Sequence, residues 1–337
     1  MRILLIMDPG IAVPPPNYGG HERLVHMFAE EYTRLGHEVT LLAGPDSKIS
    51  GQTITFGINN LQRSKFQKLK ELFKAWKYLF SNRNNFELIH NFGRLAYLIP
   101  ILNSPAKKIM TYGRPVSKKG IKIVTALPNQ NLIFTACSNY CVSTGNVAGR
   151  WETVYNAIDF SKYNLVQQVN RDAPLIFLGR MDKIKGLHTA IEVALETENI
   201  LLIGGNIPNT ADNLNYFKEH VEPKFDGKQI IYLGPLNDEQ KNHYLGQAKA
   251  LLFPIEWDEP FGMVMVEAMA CGTPVIGFKR GSVNEVITNG KNGFIVENKE
   301  AMIQTLQKII AIDRPACRTF TLSKFDVSII AKHYLNL

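Results

Sequence analysis

The sequence lacks the features that mark secreted, metal-binding and membrane-spanning proteins. It has four cysteines in 337 residues, and none has the spacing of a metal site. No apolar run approaches the ~20 residues that span a bilayer. The N-terminal run is too short for a secretory signal, and no cleavage site follows it. We therefore expect a cytoplasmic protein whose cysteines are reduced and lie in its core: Cys137, Cys141, Cys271 and Cys317.

Signals for binding nucleic acid or a dinucleotide are missing as well. The formal net charge of +8 favours anionic partners such as phosphates, nucleic acid or anionic lipid. No stretch interleaves basic and aromatic side chains, so no nucleic-acid partner is expected. No Gly-x-Gly-x-x-Gly follows the first apolar run, and no acid ends the second, so the dinucleotide fingerprint is excluded.

The apolar content is sufficient for two domains. Hydrophobic residues make up 45% of the chain, and 337 residues suit two domains of roughly 150 each. Runs typical of buried strands alternate with helical periodicity, and after residue 173 the pattern begins again. We predict an α/β protein with two doubly wound, Rossmann-like domains, 1–158 and 171–315, facing across a cleft, with 159–173 as the linker. The predicted strands are 2–7, 37–43, 86–92, 107–115, 132–137, 174–182, 199–205, 229–234, 248–254, 274–278 and 293–296.

Two glutamates flank the predicted start of a helix in the stretch WDEPFGMVMVEAMACGTPVIG. Glu259 lies in the preceding loop, and Glu267 lies nearly two turns into a helix expected to begin near Phe261. The first amides of a helix favour an anion such as a phosphate; here they belong to Phe261, Gly262, Met263 and Val264. Carboxylates repel phosphate but accept O–H bonds from diols. A nucleotide-sugar, with diols on both sides of a diphosphate, fits this pattern; a capped helix containing an unrelated acid is the alternative.

A second candidate group is the basic turn in LGRMDKIKGLHTA, residues 178–190. It follows a predicted strand and precedes a helix, and it carries Arg180 and Lys185. Two fixed cations can neutralise a diphosphate and stabilise it as a leaving group. A solvated basic turn is the alternative.

A third candidate is the long loop MDPGIAVPPPNYGGHE, residues 7–22. Gly19 and Gly20 open the following helix, where a ligand oxygen could approach the bare backbone. A flexible entry into the helix explains the same glycine pair.

Together these segments resemble the retaining glycosyltransferases of family 4, which have the GT-B fold. The matching stretches are EPFGMVMVEAMACGTPVIG, Gly179–Arg180, Lys185–Gly186, YNAID at 155–159 and NYGGHERLV near the start. Bacterial members with a short N-terminal Gly-Gly loop are the most similar.

The resemblance implies a role for each charged residue of the candidate site. Glu267 would hold the ribose diol of the donor, and Glu259 would hold hydroxyls of the donor sugar. Arg180 and Lys185 would bind the diphosphate. His90 would be a catalytic or acceptor-binding residue. Members of the family often have a second histidine two residues later, where this sequence has Phe92.

The resemblance also implies backbone contacts. The amides from Phe261 to Val264 would contact sugar and phosphates, and the nucleobase would meet the backbone near Gly234 to Leu236. Gly19 and Gly20 would let the N-terminal, acceptor-binding domain close over the donor. The final segment, 320–337, would be a helix that returns to the N-terminal domain.

The expected activity is transfer of a sugar from a nucleoside-diphosphate sugar, expected to be a UDP-sugar, to an unidentified hydroxyl acceptor in glycan, lipopolysaccharide or glycolipid biosynthesis. Front-face attack with retention is expected, without cofactor or catalytic metal. A nucleotide-sugar 2-epimerase and a non-catalytic glycan-binding partner subunit of the same fold remain alternatives. A retaining glycosidase is a poorer one, because the basic pair would have no purpose.

One further segment, residues 65–80, combines aromatic and basic side chains. Phe66, Leu69, Phe73, Trp76 and Phe80 share one helical face, and five lysines lie elsewhere. We interpret it as a core-facing helix with a solvated basic back. A peripheral helix on an anionic membrane, at its inner face, is the alternative.

Overall fold

The computed structural model describes residues 1–16, 19–116 and 118–337. The chain forms two compact units, the first made of Met1–Ala157 and Val327–Leu337, the second of Ile158–Asp326. Each unit has a parallel β-sheet with helices packed on it. Each unit thus has the doubly wound α/β architecture predicted from the alternation of strands and helices. The resemblance implied that 320–337 returns to the first unit; residues 327–337 belong to that unit, whereas 320–326 belong to the second.

The first unit contains a seven-stranded sheet with the order β3-β2-β1-β4-β5-β6-β7. The order reverses between β1 and β4, which are parallel neighbours. In open α/β sheets such a reversal opens a crevice at the carboxyl ends of the strands, where ligands bind. The strands are β1 (Arg2–Ile6), β2 (Glu38–Ala43), β3 (Gln52–Thr55), β4 (Leu88–Asn91), β5 (Lys107–Tyr112), β6 (Leu132–Ala136) and β7 (Arg150–Thr153).

The second unit repeats the same plan with six strands in the order β10-β9-β8-β11-β12-β13. Its reversal lies between β8 and β11, again parallel neighbours. The strands are β8 (Leu175–Leu178), β9 (Leu201–Gly204), β10 (Ile230–Gly234), β11 (Ala250–Phe253), β12 (Val275–Phe278) and β13 (Gly293–Val296).

Helices connect these strands and cover the sheets. In the described ranges they are α1 (Gly20–Arg34), α2 (Lys65–Ser81), α3 (Lys118–Ala126), α4 (Asn139–Gly145), α5 (Leu187–Glu196), α6 (Ala211–Tyr216), α7 (Asp238–Gln247), α8 (Met263–Ala270), α9 (Val283–Val286), α10 (Lys299–Ile309), α11 (Arg314–Phe325) and α12 (Val327–Asn336). None of the helices in the described residues is both long and apolar enough to cross a membrane.

The core of the first unit lies on both faces of its sheet. On one face α1 and α12 pack together, with Phe28 and Tyr334 in edge-to-face contact at 5.3 Å between ring centroids. On the other face α2, α3 and a short 3-10 helix, Leu95–Ile101, share a second apolar cluster. Burial of these apolar faces is the main stabilising contribution to such a layered fold.

Two predictions about individual segments need correction. The segment 159–173, predicted as the linker between the domains, is part of the second unit. The Val166 N–H donates to Cys271 O at 3.1 Å, and the Arg314 side chain donates to the Val166 carbonyl at 2.7 Å. The core-facing interpretation of 65–80 is also wrong. Among the large hydrophobic residues of α2, Phe66, Phe73 and Phe80 are exposed.

The four cysteines lie where the composition predicted them. All are buried, and none is part of a disulfide in the described residues. In Cys271, burial and the nearby Glu267 carboxylate raise the pKa of the thiol to about 12, so it is protonated at neutral pH.

Candidate active site

The strand order of the second sheet decides which loops meet. β8 and β11 are neighbours at the reversal point, so the loops that follow them leave the same edge side by side. The loop after β8 carries Arg180 and Lys185, and the loop after β11 carries Glu259. Residues 74 positions apart are therefore brought together by topology, as the sequence predicted for the charged groups of this unit.

Lys185 and Glu259 form a direct ion pair at this point. The Lys185 Nζ lies 2.6 Å from Glu259 Oε2, and the Trp257 Nε1–H donates to the same oxygen at 2.9 Å. The ammonium also lies 4.9 Å from the centroid of the Trp257 ring. Both charged side chains are largely buried, at 18% and 12% exposure. Removing either partner of such a buried pair would destabilise the protein, because the remaining charge would be buried without compensation.

The two loops are also joined through their backbones. The Glu256 N–H donates to Ile184 O at 2.9 Å. Gly186 follows Lys185 with a left-handed backbone (φ 71°), and a Cβ there would lie 1.9 Å from Pro254 O. Only glycine permits so close an approach. Gly186 therefore holds the neighbouring Lys185 against the loop that follows β11.

Arg180 occupies a more open position. Its side chain is 55% exposed and pairs with the buried Asp182 at 2.7 Å. An exposed guanidinium held by one carboxylate remains accessible to a second anion, such as a phosphate.

Glu267, on α8, belongs to a second ionic group that the sequence did not reveal. Its Oε1 accepts from Lys241 Nζ at 2.7 Å and from the Tyr163 hydroxyl at 3.1 Å. Burial and the neighbouring carboxylate raise the pKa of Tyr163 strongly, so its hydroxyl stays a donor. The glutamate is 14% exposed. Lys241 and Tyr163 reach it from distant positions, 26 and 104 residues away, and no local pattern links them.

The helix that carries Glu267 begins later than predicted. α8 starts at Met263, with Gly262 as a left-handed N-cap (φ 79°), whereas the sequence suggested Phe261. Phe261 is a core residue, 2% exposed, and its ring meets Phe325 edge-to-face at 5.6 Å between centroids. The first turn of the helix therefore presents the amides of Met263 and Val264.

Glycines line the carboxyl edge beside this site. Gly179, Gly205 and Gly234 follow or end β8, β9 and β10, and Gly205 N–H donates to Gly234 O at 3.0 Å. A Cβ on Gly205 would lie 1.8 Å from Gly179 O. The Leu236 side chain packs close to Gly204, where a Cβ would lie 2.7 Å from it. This is the strip of bare backbone where the nucleobase was predicted, near Gly234 to Leu236.

In the first unit, Gly19 and Gly20 differ in their surroundings. A Cβ on Gly19 would lie 2.8 Å from Pro15 and 2.9 Å from a Glu22 carboxylate oxygen, whereas a Cβ on Gly20 would meet no described atom within 4 Å. Gly20 therefore leaves space at the start of α1, while Gly19 is needed by the protein's own packing.

His90 does not lie at an accessible strand end. It is fully buried, its Nδ1 3.3 Å from the Tyr32 hydroxyl and its Nε2 2.8 Å from Thr111 Oγ1. Burial lowers the pKa of His90 to about 3. Its ring packs 4.1 Å from Phe92 and 4.4 Å from Tyr334 between centroids. This placement contradicts a catalytic or acceptor-binding His90, because the ring cannot touch a substrate from the core.

The carboxyl edge of the first sheet has a polar group of its own that the sequence analysis missed. At its reversal point, Asp8 Oδ1 accepts from the Tyr97 hydroxyl at 2.7 Å and lies 3.1 Å from Arg94 Nε. Arg94 continues to the buried Glu71 at 3.7 Å, which pairs with Arg63 at 3.1 Å. The signal available in the sequence was only that Asp8 and Arg94 follow β1 and β4.

The chain is similar to several known proteins. Residues 166–320 match the family described as Glycosyl transferases group 1. An uncharacterized 41.2 kDa protein in the cps region of Klebsiella pneumoniae is 24% identical over 58% of this chain and 57% of its own length. The N-acetyl-alpha-D-glucosaminyl L-malate synthase of Bacillus anthracis is 29% identical over 43% of this chain and 40% of its own. The chain thus spans about half the length of these curated relatives.

Among solved structures, Anabaena HepE in complex with UDP and glucose superposes with a TM-score of 0.73 at 18% identity, covering 100% of this chain and 98% of that one. The likeness supports the fold. The chain therefore has the GT-B fold, and residues 166–320, which lie in the second unit, match a family of glycosyltransferase domains.

Proposed function

We propose that the chain moves a sugar from a UDP-sugar to a hydroxyl acceptor with retention of the anomeric configuration, as family 4 glycosyltransferases do. The observation that carries the proposal is the Lys185–Glu259 pair at the reversal point of the second sheet. It places a cation and a carboxylate side by side where a ligand enters, and a diphosphate next to sugar hydroxyls requires that combination.

The donor would lie along the carboxyl edge of the second sheet. Arg180 and Lys185 would face the diphosphate, and Glu259 would accept bonds from sugar hydroxyls through the oxygen not engaged by Lys185. Glu267, which uses Oε1 for Lys241 and Tyr163, would accept from the ribose diol through Oε2. A carboxylate has about four acceptor sites, so each can bind both a protein donor and a ligand hydroxyl.

The choice of UDP rests on similarity. Anabaena HepE, which shares the fold, is described with UDP and glucose. The backbone near Gly234 to Leu236 would contact the nucleobase. The amides of Met263 and Val264, at the start of α8, would contact the sugar and phosphates.

The proposed chemical step needs no protein nucleophile. The acceptor oxygen attacks the anomeric carbon from the face the diphosphate leaves. The C–O bond to the diphosphate breaks as the new glycosidic C–O bond forms, and the acceptor proton moves to a diphosphate oxygen. Lys185 and Arg180 stabilise the charge that develops on the leaving group, so we propose that no metal is required.

The acceptor is proposed to bind the first unit, where Asp8 and Arg94 follow the two strands at its reversal point. The exposed helix α2 favours an acceptor that is carried at an anionic membrane and used in glycan or glycolipid synthesis.

A ligand screen followed by product analysis tests this function. UDP and UDP-sugars are expected to raise the melting temperature more than other nucleoside diphosphates do, since binding to the folded state alone stabilises it. NMR of the product anomeric proton then reports retention. Conversion of the UDP-sugar to its epimer without an acceptor would instead identify an epimerase, and lack of any nucleotide effect would overturn the proposed site.

A further inference from the structure

The outward face of α2 is apolar. Its buried residues are Glu71, Ala75 and Leu79, which recur every four positions and face the protein. Half a turn away lie large side chains that are 49–75% exposed: Phe66, Leu69, Phe73 and Phe80. Exposed large apolar groups grouped on one side of a helix mark an interaction surface.

The same helix surface is basic and has no exposed acid. Five lysines of α2 are exposed: Lys65, Lys68, Lys70, Lys74 and Lys77. The only acid of α2, Glu71, is buried and paired with Arg63. A solvated helix usually alternates lysines with acids that pair four residues apart, so this surface instead suits an anionic partner.

The helix α3 continues this surface. It lies on the same face of the sheet as α2, and exposed Lys118, Lys119 and Lys122 are accompanied by Ile123, which is 52% exposed. The two helices border the same short segment: Arg94 Nη1 donates to Lys68 O at 3.3 Å, and a Cβ on Gly120 would lie 3.8 Å from the Leu95 side chain. We call the exposed side chains of α2 and α3 the basic apolar face.

The net positive charge of the protein arises from the first unit. The first unit has 20 Lys and Arg against 9 Asp and Glu, a formal charge of +11, while the second has 18 against 21, a formal charge of −3. No Asp or Glu occurs between residues 88 and 151. The helices α2 and α3, with their exposed phenylalanines and lysines, therefore belong to the unit that carries the excess positive charge.

We propose that the basic apolar face docks on an anionic lipid bilayer, with the phenylalanines of α2 at the acyl boundary and the lysines at the headgroups. An interfacial helix combines these two features: an apolar side that enters the boundary and lysines that attract anionic lipid. The observed arrangement puts both on the solvent-exposed side of α2 and α3, and docking of this kind requires no membrane-spanning segment.

Vesicle sedimentation with the full chain tests the proposal, and its result does not depend on sugar transfer. We expect about tenfold more binding to phosphatidylcholine vesicles containing phosphatidylglycerol than to pure phosphatidylcholine, and weaker binding at high salt. The double variant Phe66→Ser/Phe73→Ser and the triple variant Lys70→Gln/Lys74→Gln/Lys77→Gln should each lose most of this binding. Because these side chains are exposed, melting temperatures should be unchanged.

Matched variants in the second unit serve as controls. Ile200→Ser/Ile310→Ser removes two exposed apolar groups, and Lys218→Gln/Lys224→Gln/Lys228→Gln removes three exposed lysines. Both should bind vesicles as the unchanged chain does. Equal binding to both kinds of vesicle, or equal losses in the control variants, would overturn the proposal. So would a dimer in vesicle-free solution that the α2 variants dissociate, because a second copy would then occupy the face.

Discussion

The Lys185 ammonium lies 2.6 Å from Glu259 Oε2, across the point where the strand order of the second sheet reverses. Neither side chain has another charged partner among the ion pairs of the described residues, and Trp257 covers them. Each side chain therefore positions the other.

Replacing either partner should impair transfer strongly. We expect Lys185→Ala and Glu259→Gln each to lower kcat/KM about 10²- to 10³-fold, because each removes stabilisation of the leaving group or of the sugar. The double variant should lose less than the product of the two effects, since the residues act as a pair. Lys183→Ala, in the same turn but exposed, is the control. Full additivity would contradict the coupling.

The role proposed for Glu267 can be isolated with a ligand analogue. The unchanged protein should bind UDP about tenfold more tightly than 2′-deoxy-UDP, a difference of roughly 1.4 kcal/mol. Glu267→Gln should abolish most of this preference, whereas Glu239→Gln, an exposed acid on α7, should keep it. Titration calorimetry measures both affinities. An undiminished preference in Glu267→Gln would place the ribose elsewhere.

Two glycines offer a test that separates ligand approach from folding. Gly20→Ala adds a methyl group to open space, so stability should be kept while KM for the donor rises if the ligand approaches there. Gly186→Ala places its methyl group 1.9 Å from Pro254 O at φ 71° and should lower the free energy of unfolding by more than about 1 kcal/mol. Urea unfolding and donor kinetics distinguish the two. Unchanged kinetics for Gly20→Ala would exclude donor contact at that glycine.

The buried His90 should influence stability rather than catalysis. Its pKa is lowered to about 3 by burial, so between pH 3 and 6.5 the unfolded chain binds a proton that the folded chain does not. Stability is therefore lost as pH falls below 6.5, by about 2 kcal/mol at pH 5 from this group. His90→Gln should remove that part of the pH dependence in urea unfolding and retain transfer activity. Loss of activity in a folded His90→Gln protein would restore a catalytic role.

The fold could be predicted where strands are buried on both faces, because a continuous apolar run is visible in the sequence. The predicted strand 2–7, for example, is observed as Arg2–Ile6. The two edge strands of the first sheet, β3 and β7, were not predicted. Both have four residues and are at most half-buried, so neither shows an apolar run.

The candidate site was only partly visible for a related reason. Arg180, Lys185 and Glu259 could be proposed because each follows a strand at one sheet edge. Lys241 and Tyr163 approach Glu267 only after folding, and no periodicity encodes such pairs. For α2, the amphipathic pattern was clear. Such a pattern shows which residues share a face, but it does not show whether that face packs on the protein core or is exposed.

The last helix, α12, belongs to the unit that the chain builds first. Its Tyr334 packs against Phe28 and His90 in that unit's core, although α11, just before it, belongs to the other unit. Removing residues 327–337 would therefore expose the interior of the first unit and leave the second unit intact. The first unit can complete its core only after residues 327–337 have been synthesised, so its final folding must follow the synthesis of the second unit.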